Sequence, residues 1–146
     1  MYQKITSWFL GIAMFMFGIL KFIDPFKSWY SVQIANSRMG QFSYALGISG
    51  EIFVGLVLMV CLLFQQNIPV KTLKWGMNFS FLTIIVMMLT GIYVHLHPDV
   101  PADVLPLKLK APYIPGCFLL LAFSNIIISN RKKRDNHATK GQCPKT

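Results

Sequence analysis

Four stretches of the chain stay apolar long enough to cross a bilayer, and polar or proline-rich segments separate them. With about 20 consecutive apolar residues read as one spanning helix, the pattern predicts spans at about 5–23, 41–64, 75–95 and 113–129. In lipid each backbone N–H and C=O has to be satisfied within its own helix. The predicted fold class is therefore all-α: an integral membrane four-helix bundle, in one domain covering 1–146. Tyr2, Trp8, Trp29, Tyr30, Trp75, Tyr93 and Tyr113 fall near the span ends, where amphipathic rings settle at the headgroup level. The first span resembles a secretory signal in length. Its continuation, Lys21-Phe22-Ile23-Asp24-Pro25, offers no small-x-small cleavage site, so the expectation is an uncleaved first helix.

Composition agrees with this division, since 54% of residues are hydrophobic and 13% charged, outside the usual range of soluble domains. Charge then orients the chain. Of its 14 lysines and arginines, nine fall on the side holding the N-terminus, the second loop and the tail, and five on the other. The positive-inside rule places both termini in the cytoplasm, and the localisation expected is the bacterial cytoplasmic (inner) membrane. Much of the net charge of +9 lies in the basic tail at 130–146, with Arg131, Lys132, Lys133 and Arg134 directly after the fourth span. A basic cluster in that position reads as an anchor against anionic lipid, so the membrane lipid is the expected partner there and nucleic acid is not. Cys61, Cys117 and Cys143 form no Cys-x-x-Cys pair and are odd in number, which argues against a disulfide framework or a thioredoxin-type site.

Against this apolar background Glu51 stands out as the one acidic residue inside a span. A charged group at a helix centre costs roughly 2.5–3.5 kcal/mol on insertion scales, so it persists where it pairs, titrates or binds something. Gly47, Glu51 and Gly55 are four apart, and Gly11, Met14, Gly18 and Lys21 recur at helical spacing in the first span. Small residues on such faces let membrane helices approach closely. Lys21, late in the first span, and Glu51, early in the second, then lie in the same half of the bundle. A Lys21–Glu51 ion pair is expected, and it would hold the carboxylate charged. Whether the pair only fixes helix register or also serves a ligand or a proton is open at this level.

The third span carries Ser80, Thr83, Thr90 and Gly91 along one side and ends in His95-Leu-His97-Pro-Asp99. His95 reaches the same half as Glu51, so Lys21, Glu51 and His95 are the candidate ligand-binding residues. A metal site made of His95, His97 and Asp99, with Asp103 nearby, is the weaker alternative, because residues two apart on a helix do not share a face and no further Cys or His converges on them. No catalytic residue is assigned. Five prolines between Pro98 and Pro115 prevent a regular helix there, and the valines and leucines among them point to a segment folded back as a lid or lying on the membrane. A stiff apolar cover beside Lys21, Glu51 and His95 suits an amphipathic ligand such as a quinone head group.

The pattern Phe17-Gly-Ile-Leu-Lys21-Phe, followed by a polar loop and then Gly50-Glu51-Ile-Phe-Val-Gly55-Leu-Val-Leu, resembles the DoxX and DoxX-like family of small four-helix membrane proteins. The resemblance implies a four-helix bundle with Lys21 and Glu51 at the family's lysine and glutamate positions. For some members it implies the membrane subunit of a quinone-linked sulfur or thiol oxidoreductase, and for others a partner or assembly factor of membrane complexes. The chain has no flavin, haem, iron–sulfur or dithiol motif of its own, so no cofactor is expected to be intrinsic and independent catalysis is not expected. The leading expectation is a membrane subunit of a quinone-linked redox complex that anchors an oxidoreductase or other protein subunit and contributes to a quinone site. The alternatives are a scaffold or assembly factor without a ligand site, and a small proton-coupled transporter, which in four spans would need a homo-oligomer.

Overall fold

The computed structural model describes residues 1–105 and 108–140, with side chains through Arg131. Cys143 and the side chains of Lys132, Lys133 and Arg134 lie outside the described residues. Five helices follow one another: α1 (Tyr2–Leu20), α2 (Phe26–Asn36), α3 (Gly40–Leu63), α4 (Val70–Leu96) and α5 (Tyr113–Lys140), with one 3-10 turn at Ala102–Val104 before α5. No strand occurs among the described residues. Four of the helices are long and apolar enough to cross a membrane: α1, α3, α4 and the Tyr113–Arg131 part of α5.

Those four match the four apolar stretches, and the differences at their ends have a common cause. α4 begins at Val70 instead of Trp75, after Pro69, and takes in Lys71 and Lys74. α5 runs on past Ser129 into the basic tail. Hydropathy marks where a helix is greasy, whereas lysine and arginine continue a helix readily. The larger correction is α2, because the segment between the first two spans is not a polar loop. It holds no Gly or Pro from Phe26 to Asn36 and starts after Pro25, with the Trp29 N–H donating to the Pro25 carbonyl at 3.0 Å. Its 11 residues extend about 16 Å, too short to span a bilayer. Arg38 (φ 58°) and Gly40 (φ 67°) then turn the chain into α3 through two left-handed residues.

α1 packs on α3 through glycine. A Cβ at Gly55 would lie 2.7 Å from the backbone N of Phe15 and 2.8 Å from the Gly11 carbonyl oxygen, and one at Gly18 would lie 2.6 Å from Ile52 Cγ1. Backbones this close gain the dispersion contacts that drive association where no hydrophobic effect operates. Leu10 and Met14 of α1, Val54 and Leu58 of α3, Phe81 and Ile84 of α4, and Phe118 and Ala122 of α5 form the core. Outward-facing Phe9, Ile12, Met16, Phe53, Leu82, Leu89, Leu120 and Phe123 are exposed. An outer surface with this many exposed large apolar side chains is the kind that lipid or protein covers.

The proline-rich segment folds back over α2. Val100 and Leu105 are buried and pack with Val94, Met39 and Val104. Gln33 Nε2 donates to the Val104 carbonyl. Farther out, Arg38 meets Asp99 at 3.4 Å, and Lys110 Nζ donates to the His97 and Pro98 carbonyls at 3.2 Å each. Val100, Val104 and Leu105 thus pack inward while Asp99 and Lys110 hold the rim.

Candidate functional site

Lys21 is the residue that ends α1, and Glu51 lies 11 residues into α3. Gly18, one turn before Lys21, has no side chain to hold the helices apart, and a Cβ there would lie 3.3 Å from Glu51 Cβ. The close approach brings Lys21 Nζ to 2.6 Å from Glu51 Oε1. Glu51 is 9% exposed. Its second oxygen, Oε2, is buried and has no hydrogen-bond partner. An unmet acceptor of this kind costs about 1–3 kcal/mol, more when charged, so it calls for an explanation.

Tyr30 of α2 completes the other side of Lys21. Nζ lies 3.9 Å from the centroid of the Tyr30 ring, within cation–π range. Tyr44 of α3 packs on the same ring at a centroid distance of 5.0 Å. This placement depends on Gly47, where a Cβ would fall 1.9 Å from the Tyr30 hydroxyl oxygen. Burial first, and then the negative charge of Glu51 and the neighbouring Tyr44, push the Tyr30 phenol's ionisation above its ordinary range. Tyr30 therefore serves the site as a neutral hydroxyl and an aromatic face.

His95, near the end of α4, is buried, with Nδ1 2.9 Å from the Gly91 carbonyl oxygen. A carbonyl only accepts, so the hydrogen bond assigns a proton to Nδ1 and turns Nε2 to the chamber as the ring's other polar atom. The hydroxyl of Thr90 turns back on the Val86 carbonyl at 3.0 Å.

These groups surround one cavity of about 450 Å³, within the range that takes small organic molecules. α1 contributes Phe17, Leu20 and Lys21; α2 contributes Phe26, Trp29, Tyr30, Gln33 and Ile34. From α3 come Ser43, Leu46, Gly47 and Glu51, from α4 Val86, Met87, Thr90, Gly91, Val94 and His95, and from α5 Ile114, Pro115 and Phe118. Val104 of the folded-back segment also reaches the wall. The result is a largely apolar chamber with one ammonium, one carboxylate, a phenol and an imidazole.

All three sequence-derived candidates, Lys21, Glu51 and His95, line this chamber, and the expected ion pair is present. His97 and Asp99 point elsewhere: His97 packs edge-on against Tyr93 and its Nδ1 accepts from the Asp99 N–H at 3.3 Å, while the Asp99 carboxylate meets Arg38. Among the described residues no three His, Cys, Asp or Glu gather to hold a metal ion. Ser80 and Thr83 also stay outside the cavity, each bonded to the carbonyl four residues back. Sequence reasoning missed α2 and with it Trp29, Tyr30 and Gln33. Phe26, Trp29, Tyr30, Gln33 and Ile34 follow the i, i+3, i+4, i+7, i+8 spacing of an amphipathic helix, and that stripe is the signal that could have found them.

Comparison with known proteins yields no matching family model, no matching curated protein and no matching solved structure.

Proposed function

We propose that the chain is a multi-pass subunit of a bacterial cytoplasmic membrane, with both termini in the cytoplasm, that binds a quinone in this chamber and anchors an oxidoreductase partner. The observation that carries this reading is the unpartnered Oε2 of Glu51, buried beside a lysine in an otherwise apolar and aromatic cavity. A pair that only fixed helix register would need neither a free acceptor nor a chamber around it. A quinone head group has the complementary chemistry. Its carbonyl oxygens accept, which suits the Lys21 ammonium, and its reduced form donates two hydroxyl protons, which suits Glu51 Oε2 and His95 Nε2. The flat ring finds aromatic faces on Trp29, Tyr30 and Phe118. The likeness of the Lys21 and Glu51 segments to the DoxX family supports the same reading.

Native extraction in mild detergent, followed by mass spectrometry of bound small molecules and proteins, tests it directly. Wild type is expected to carry a quinone and an oxidoreductase, and Glu51→Gln to keep its fold and its partner while losing most of the quinone. A preparation with protein partners and no quinone in either form would replace this reading with that of an assembly scaffold.

A further inference from the structure

We infer that the chamber opens sideways between α3 and α4, and that this opening takes the hydrocarbon tail of a ligand drawn from the bilayer. The inference rests on the quinone reading and adds where the ligand enters and which part of it is recognised there. Leu46 of α3 and Val86 of α4 both line the cavity, yet they are 54% and 57% exposed on the outside of the bundle. A residue can be both only where the cavity wall is also the outer surface.

The helix register explains the gap. α3 and α4 touch where Met87 packs on Gly50, its Sδ and Cε 3.3 Å from where a Cβ would be. One turn farther along this antiparallel pair, α3 presents Leu46 and Gly47 and α4 presents Thr90 and Gly91. The Tyr30 hydroxyl fills the notch at Gly47 and Gly91 faces Pro115 of α5, so the side chains left at this level of the seam are Leu46 and Thr90, and the threonine hydroxyl is turned onto its own helix at Val86. The seam is therefore lined by aliphatic groups, and none of these four residues is ionic. Of the other half-exposed lining residues, Phe17 of α1 packs on Phe118 of α5 at 5.7 Å, whereas Phe26 packs on Trp29 of its own helix at 5.4 Å and lies on α2, outside the four long apolar helices. An aliphatic slot leading from lipid to a polar chamber end fits a polyprenyl or alkyl tail behind a polar head.

The test compares two probes with the same methoxy-benzoquinone head, one tailless and one with a decyl tail, binding to the full chain in lipid nanodiscs. Leu46→Trp and Val86→Trp should fill the slot, and because both positions are half-exposed the added ring volume fits at its mouth without unfolding the bundle. Affinity for the decyl quinone should fall about tenfold or more, equivalent to about two methylenes left unburied. The tailless probe should bind as to wild type, and Phe53→Trp, on the outer face of α3 away from the cavity, should change neither. Equal weakening of both probes, or no weakening of either, overturns the lateral slot while leaving the quinone site standing. If wild type binds neither probe, the quinone reading fails and the slot fails with it.

Discussion

Near the start of the chain Asn125 of α5 meets Thr6 and Ser7 of α1, and toward the opposite end Lys21 of α1 meets Glu51 of α3. Both are polar clusters inside an apolar bundle, but they are completed differently. Asn125 Nδ2 donates to Thr6 Oγ1 at 3.0 Å and to the Leu121 carbonyl at 2.9 Å. Its Oδ1 lies 3.1 Å from Thr6 Oγ1 and 3.5 Å from Ser7 Oγ, so both ends of the amide are met by neighbours. Asn125 and Ser7 are fully buried. The Lys21–Glu51 cluster keeps one oxygen unmet and borders the chamber. Polar glue between membrane helices closes on itself, whereas a buried acceptor left unmet beside a cavity is what the proposed ligand would complete.

The largest predicted effect breaks the open cluster. Lys21→Met removes the partner of a carboxylate that is 11% exposed at its side chain, and stability in detergent should drop by roughly 3–5 kcal/mol, the cost of an uncompensated buried charge. Adding Glu51→Leu should recover most of that loss, because an apolar pair of similar volume suits the site about as well. Unfolding of wild type, the single and the double variant measures the coupling. A double variant no more stable than Lys21→Met would mean that the pair is not what Lys21 stabilises.

The four apolar helices and the Lys21–Glu51 pair were legible because each rests on a pattern local to one segment: long greasy runs, and glycines spaced by four around a charge. His95 was placed at the correct end because α4 runs opposite to α3. What escaped was the part of the site made by contacts across segments. α2 carries too few apolar residues to register as a span and too many polar ones to look buried, so Trp29 and Tyr30 were read only as a headgroup belt. The hydrogen bond that ties Gln33 to Val104 joins residues 71 apart in the chain, and no periodicity encodes it. His97 and Asp99 show the reverse, since proximity in sequence offered them only as the weaker alternative of a ligand set, and the fold sends them to Tyr93 and Arg38.

A second, intermediate effect sharpens the comparison by closing the chamber without touching a charge. Gly47→Ala should force the Tyr30 phenol off the α3 backbone, since the new Cβ would fall 1.9 Å from the hydroxyl oxygen but 3.1 Å from ring carbon Cζ. Overpacking of this kind costs about 1–3 kcal/mol, and moving the ring off Lys21 should lower quinone retention as well. Tyr30→Phe in the same chain removes the clashing atom and should restore most of the stability and of the retention. If Gly47→Ala is silent in both assays, Tyr30 is not held against α3 as described.

The smallest effect is expected at the closed cluster, and it separates the two regions most cleanly. Asn125→Leu deletes hydrogen bonds that are each complete and replaces the amide by a side chain of similar size. The groups left behind have alternatives: Ser7 Oγ is already 2.6 Å from the Gln3 carbonyl, and Thr6 Oγ1 is 3.0 Å from the Tyr2 carbonyl. No donor or acceptor is stranded, so the loss should stay near the average of about 0.6 kcal/mol, and within the maximum of about 1.7, found for hydrogen bonds between membrane helices. Quinone retention should not change, because Asn125 lies outside the walls of the chamber. A loss as large as that of Lys21→Met, or a quinone lost with it, would mean that the two ends of the bundle are coupled and that the division into glue and site is wrong.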